Sequence, residues 1–136
     1  MKKVFYLLSA IAIFSVSPRM VSAQGCGDKG KEAKLYALTF HADYCGACKN
    51  LKPNVMVLQP KLEGKAVEWV KFDFTTAETK EKSKELASEL GVSDIYEQNQ
   101  ATGFVILVDA DSKKTVGKLT SRQSSDDMYK IVIANL

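Results

Sequence analysis

Two cysteines separated by two residues, Cys45 and Cys48, are the residues of this chain whose type and spacing point most directly to chemistry. The apolar pattern that follows them predicts a helix, so both sulfurs would lie on one side of its first turn. Unpaired backbone N–H groups and the helix dipole favour an anion there, which predicts a lowered pKa for the Cys45 thiol. We expect Cys45 to attack a disulfide and Cys48 to resolve the mixed disulfide that forms.

A strand, a helix and a second strand must position this dithiol. The mostly apolar run of residues 35–40 predicts a buried strand. A helix is predicted from residue 45 to about residue 62, with a kink at Pro53. Residues 66–74 predict the second strand. The helix prediction rests on apolar residues that recur at spacings of three and four, namely Leu51, Val55, Leu58 and Leu62.

The second half of the chain predicts a helix, a hairpin and a last helix. Thr75-x-x-Glu78 reads as a capping box, and Gly91 should end the helix that it opens. Residues 103–109 and 115–120 form the predicted hairpin, and Ser125 should cap the last helix. The order predicts an α/β fold: a mixed central sheet of about four strands with helices on both faces.

The first 23 residues have the features of a secretory signal peptide. Lys2 and Lys3 precede an apolar run of 13 residues, and Val21-Ser22-Ala23 offers a cleavage site. The run is shorter than the roughly 20 residues of a membrane span, so an uncleaved anchor is the less favoured alternative. We expect an exported, periplasmic or extracytoplasmic protein with a flexible leader at residues 24–34 and one domain at residues 35–136.

The charge balance excludes one class of partner. The signal segment carries Lys2, Lys3 and Arg19, so removing it lowers the basic residues from 19 to 16, against 16 acidic residues. The mature chain is therefore formally neutral and shows no basic face. Nucleic acid is not an expected partner.

The residues around the dithiol resemble the active-site segment of the thioredoxin family. Ala42-Asp43-Tyr44-Cys45-Gly46-Ala47-Cys48-Lys49, with Pro53 five residues after the second cysteine, matches its common pattern except at Tyr44 and Ala47, where thioredoxins usually have Trp and Pro. The resemblance implies a thioredoxin-like fold over residues 35–136, most similar to exported or membrane-associated members.

For function, the resemblance implies a thiol:disulfide oxidoreductase. Its catalytic residues would be Cys45 and Cys48, with no cofactor and no metal. Protein thiols and disulfides would be the substrates, and a membrane or periplasmic electron donor would be a further partner. We expect the protein to be a monomer.

The sequence departs from the family at two positions that bear on the site. Thr39 stands where thioredoxins bury an acid, and Gly103 stands where they place a cis-proline opposite the dithiol. The missing proline predicts weaker and broader substrate selection and some affinity for stray zinc. Lys71 is either a cation beneath the dithiol or an exposed lysine, and His41 is either a proton-transfer group or a surface residue at a strand end.

Two other interpretations of the cysteines stay open. Cys26, His41, Cys45 and Cys48 supply the donors of a Cys₃His zinc site. Alternatively, Cys45 and Cys48 form a structural disulfide in a non-catalytic binding protein of the same fold. Covalent haem attachment is excluded because Lys49, not histidine, follows the second cysteine.

Cys26 stands apart from the dithiol and has three interpretations. Ala23-Gln24-Gly25-Cys26 is an imperfect lipobox, so a lipid anchor at Cys26 is one of them. The others are a mixed or intermolecular disulfide and a spare thiol.

Overall fold

The computed structural model describes residues 32–136. The predicted signal segment and Cys26 lie outside the described residues. The elements, in chain order, are β1 (Leu35–His41), α1 (Gly46–Lys61), β2 (Val67–Asp73), α2 (Ala77–Glu89), α3 (Ser93–Gln98), β3 (Phe104–Asp109), β4 (Thr115–Thr120) and α4 (Ser125–Ala134). In this part of the chain, no helix has the length and apolar character needed to cross a membrane.

The strands form one mixed sheet in the order β2-β1-β3-β4. β1 pairs in parallel with β2, from Leu35 opposite Val67 to His41 opposite Asp73. The parallel pairing requires a crossover, which α1 provides. β3 is antiparallel to both β1 and β4, so the predicted hairpin is confirmed. β1 is central, and the loop that follows His41 emerges at the same edge of the sheet as the end of β2.

Each face of the sheet packs against a pair of helices. One face meets α2 and α3 through a cluster that includes Phe40, Phe72, Phe74, Ala87 and Tyr96. The other face meets α1 and α4 through a cluster that includes Leu51, Leu58, Leu107, Met128 and Val132. The predicted α/β fold with helices on both faces is therefore confirmed. Burial of two apolar faces is the main force that holds β1 and α1 in place.

The capping residues of α2 and α4 each differ by one position from the predicted ones. The capping box of α2 joins Thr76 and Thr79, not Thr75 and Glu78. Thr75 is unavailable because its hydroxyl donates to Asp73, and Glu78 instead pairs with Lys82. In the same way Ser124, not Ser125, accepts the N–H of Asp127 and caps α4. Adjacent hydroxyl residues give the same pattern in sequence, so tertiary contacts decide which one caps.

The short helix α3 was not predicted. It is anchored by Val92 and Tyr96, which are both buried and lie four residues apart. The Tyr96 hydroxyl donates to the Lys80 carbonyl at 2.9 Å, and its ring packs edge-on against Phe72 and Phe74. α3 therefore joins the end of α2 to the loop that carries residues 99–103 back to the dithiol.

Candidate active site

The two cysteines lie at the start of α1, as predicted, in different environments. Cys45 is the N-cap of the helix, with φ −81° and ψ 113°, and its Sγ accepts the backbone N–H of Cys48 at 3.2 Å. Cys48 lies inside the first turn and is 6% exposed, whereas Cys45 is half-buried. The Cys48 thiol contacts the Phe40 carbonyl oxygen at 3.8 Å. Both residues are free thiols in this structure.

The environments shift the two pKa values in opposite directions. Partial burial alone would raise the pKa of Cys45, but hydrogen bonds from the Cys48 thiol, the Thr102 hydroxyl and the backbone N–H groups of Cys48 and Ala47 lower it below the usual value for a thiol. Burial raises the pKa of Cys48, and the adjacent Cys45 sulfur raises it further. The outer sulfur is therefore the one that ionises first.

A chain of hydrogen bonds fixes the loop that carries Cys45. The Asp43 N–H donates to the Thr75 hydroxyl at 3.1 Å, and that hydroxyl donates to Asp73 at the end of β2. The Tyr44 hydroxyl donates to the Phe74 carbonyl at 3.1 Å, although Tyr44 is 73% exposed. The end of β2 therefore holds both residues that precede the outer cysteine.

Asp73 is the charged anchor of this arrangement. Partial burial would raise its pKa, but the hydroxyl and N–H of Thr75, together with Lys71, lower it to about 2. Asp73 therefore stays ionised throughout the neutral and mildly acidic range. It can hold Thr75, and through it the loop before Cys45, over that whole range.

Gly103 faces the dithiol, which confirms its predicted place opposite the first turn of α1. A Cβ built at this residue would lie 2.5 Å from the Ala47 Cβ and 3.4 Å from the Cys45 Sγ. Its φ of +97° is a backbone conformation that favours glycine. Its N–H donates to the Phe40 carbonyl at 2.9 Å, the same oxygen that the Cys48 thiol contacts. The close approach of this loop to Cys45 thus depends on the absence of a side chain.

Three other residues considered in the sequence, Lys71, His41 and Thr39, form no hydrogen bond to either sulfur. Lys71 is exposed and pairs with Asp73 at 3.0 Å, so of the two interpretations the exposed lysine is correct. The His41 Nε2 lies 3.0 Å from the Asp43 carboxylate, at the end of β1. Thr39 is half-buried within β1. Among residues 32–136, no carboxylate is hydrogen-bonded to either sulfur.

The described residues do not assemble the predicted alternative zinc site. Between residues 32 and 136, no group of three or more His, Cys, Asp or Glu side chains is placed to hold a metal ion. His41 bonds to Asp43, and Cys26 lies outside the described residues. The site as described is a pair of thiols with backbone and hydroxyl donors.

Sequence reasoning missed two contributors to the site. The Thr102 hydroxyl lowers the pKa of both thiols, and the Phe40 carbonyl accepts from the inner one. Both depend on the pairing of β1 with β3, which sets Phe40 opposite Phe104 and brings the residues before β3 over the dithiol. A signal for Thr102 was present, since it directly precedes the glycine that was aligned opposite the dithiol.

The fold and the dithiol together define a class of protein. The family model described as Thioredoxin matches residues 28–96, just over half of the chain. The chain therefore belongs to the thioredoxin family. No curated protein matches it.

Two solved structures illustrate the shared fold. The structure described as DsbH Oxidoreductase is 17% identical, with a TM-score of 0.53, and the match covers 76% of this chain and 73% of that one. The structure of StoA from Bacillus subtilis is 10% identical, with a TM-score of 0.51, and the match covers 76% of this chain and 85% of that one. At these identities the similarity establishes the fold.

Proposed function

We propose that this protein is a thiol:disulfide oxidoreductase that exchanges disulfides of exported proteins at Cys45 and Cys48. The observation that supports the proposal most strongly is the asymmetry of the two thiols. Cys45 is the more accessible, caps a helix N-terminus and has a lowered pKa, whereas Cys48 is buried and has a raised one. A nucleophile and a resolving thiol require this difference.

The reductive reaction proceeds in two exchanges. The Cys45 thiolate attacks one sulfur of a substrate disulfide, so a Cys45–substrate disulfide forms and the other substrate sulfur leaves as a thiolate. Cys48 then loses its proton and attacks the Cys45 sulfur, which releases the second substrate thiolate. The substrate gains two electrons, and the protein ends with a Cys45–Cys48 disulfide. A dithiol reductant must restore the two thiols before the next cycle.

Among residues 32–136, no carboxylate is hydrogen-bonded to the Cys48 sulfur to accept its proton. The position where thioredoxins bury an acid is Thr39, and no other carboxylate of the described residues takes its place. The proton therefore passes to the substrate thiolate released in the first exchange or to water. The Thr102 hydroxyl lowers the pKa of Cys48 and so favours this loss, although burial and the Cys45 sulfur keep that pKa raised overall.

The signal peptide predicted at residues 1–23 supports a place of action outside the cytoplasm. An exported dithiol would meet protein disulfides as they form in an oxidising compartment. A membrane or periplasmic electron donor, itself a dithiol, would reduce the Cys45–Cys48 disulfide and so set the direction of exchange.

A redox titration against glutathione tests this proposal against a structural disulfide in a binding protein. We expect a single two-electron transition at a potential between about −300 and −120 mV, the range of exchange-active dithiols. The reduced and oxidised forms can be counted by mass after acid quenching and alkylation. A pair that remains oxidised well below about −300 mV would be a structural disulfide, and the proposal would be wrong.

A further inference from the structure

An open groove of about 590 Å³ begins beside the candidate active site. Tyr44 and Thr102 line the end next to Cys45: Tyr44 precedes that cysteine, and Thr102 precedes Gly103, where a Cβ would lie 3.4 Å from the Cys45 Sγ. Phe74 lies in the groove wall, and the first turns of α2 and Gln100 line its far end. A polypeptide whose disulfide reaches Cys45 can therefore extend along this groove.

Of the described residues that line the groove, one has a charged side chain, namely Lys80. The Lys80 Nζ lies 5.1 Å from the centre of the Phe74 ring and, within the described part of the chain, forms no ion pair. The two acids near the Cys45 end are already engaged. Asp43 pairs with His41, and Asp73 pairs with Lys71.

An adjoining depression shares Lys80 and Gln100 with the groove and adds two acids and one base, namely Glu81, Glu97 and Lys84. Neither of these carboxylates forms an ion pair with Lys80, so the Lys80 ammonium stays open to a ligand in the groove. The groove itself therefore has a positive end on an otherwise uncharged lining of aromatic, hydroxyl, amide and methyl groups. A substrate segment with a carboxylate complements this surface.

We propose that the groove binds the polypeptide segment beside the substrate disulfide and that Lys80 selects segments with an acidic side chain. This inference rests on the proposed function and specifies its substrates. The segment would lie extended, at about 3.3 Å per residue, with apolar atoms against Tyr44 and Phe74 and its carboxylate at Lys80. Lys80 is a specificity-determining residue in this account and does not touch the reacting sulfurs.

The test uses peptides that differ in one residue. Each peptide has a single cysteine linked as a mixed disulfide to 2-mercaptoethanol, with Glu, Gln or Lys placed in turn at each of four positions on either side. The second-order rate constant for reduction by the full-length mature protein is measured by stopped flow. The variants are Lys80→Gln and Lys80→Glu. Lys65→Gln is the control because Lys65 follows the opposite end of α1.

We expect Glu peptides to react about twofold to fivefold faster than Gln peptides at low ionic strength, at one or two positions in one flank. The preference should vanish in Lys80→Gln, reverse towards Lys peptides in Lys80→Glu and persist in Lys65→Gln. It should also decrease as salt is added.

A small neutral disulfide separates the failure of this inference from failure of the proposed function. Hydroxyethyl disulfide does not fill the groove, so its rate constant should be equal in wild type and all three lysine variants. Reduction of hydroxyethyl disulfide without an acidic preference among the peptides would overturn the role of Lys80 alone. No reduction of either type of substrate would overturn the proposed function, and with it this inference.

Discussion

Replacing Cys45 with serine should reduce the catalysis of insulin reduction by dithiothreitol on the order of a hundredfold or more, to the rate without protein. Serine at position 45 leaves an alcohol, which is not ionised near neutral pH and does not attack a disulfide. The readout is the turbidity of the precipitating insulin B chain. Cys26→Ser is the matched control, and it should retain wild-type activity because the exchange uses Cys45 and Cys48.

The variant Cys48→Ser should show a different defect. Cys45 keeps its helix N-terminus and backbone donors, so the first exchange still takes place. Without the inner thiol, the mixed disulfide at Cys45 is not resolved and accumulates until dithiothreitol cleaves it. Mass spectrometry of the acid-quenched reaction should show a substrate adduct on Cys45. Equal insulin rates in wild type and Cys45→Ser would rule out the proposed chemistry.

Gly103→Ala should lower the free energy of unfolding by about 2–6 kcal/mol. The φ of +97° costs a residue with a side chain about 1–3 kcal/mol. The new Cβ would also lie 2.5 Å from the Ala47 Cβ and 3.3 Å from the Ala47 carbonyl carbon, and such overpacking costs about 1–3 kcal/mol. Urea denaturation of the reduced protein measures the loss. Gly46→Ala is the control, since a Cβ there meets nothing within 4 Å.

A second substitution separates backbone strain from the steric contact. In the Ala47→Gly background the 2.5 Å contact is absent, so the additional cost of Gly103→Ala should be smaller, by about 1 kcal/mol or more, than in wild type. The φ strain remains in both backgrounds. Additive effects of the two substitutions would show that residues 47 and 103 are not in contact. Proline is unsuitable for this test because its ring fixes φ near −65°.

The local elements could be predicted from sequence because their signals are local. Residues 35–40 have the apolar run of a buried strand, and the observed strand β1 extends only one residue further. The period of Leu51, Leu58 and Leu62 gave α1, which continues through Pro53 and ends at Lys61. The displaced caps at Thr76 and Ser124 show the limit of such patterns. Which of two adjacent hydroxyl residues caps a helix depends on whether one of them is already hydrogen-bonded elsewhere in the fold.

The sequence predicted those parts of the site whose residues are close to one another along the chain. Cys45 and Cys48 share one helical turn, so their spacing placed them side by side. Thr102 approaches the dithiol only through the β1–β3 pairing, and Lys80 reaches the adjoining groove only through the packing of α2. Gly103 was aligned to its place through the family pattern, but its positive φ and its contact with Ala47 are properties of the folded chain. A single glycine in the sequence does not show which distant residue it will contact in the fold.

The central claim is that Cys45 is an activated nucleophile beside a protonated, buried Cys48. Its most direct test is the pH dependence of alkylation by iodoacetamide at each cysteine, in the reduced Cys26→Ser variant, with peptide mapping by mass spectrometry. The thiolate is the reactive form, so a lowered pKa moves the rise in rate to lower pH.

We expect Cys45 to react with a pH midpoint clearly below the roughly 8.5 of a free cysteine, and Cys48 to react more slowly, with a midpoint above it. Equal midpoints near that of a free cysteine, or faster alkylation of Cys48 than of Cys45 at neutral pH, would contradict the central claim.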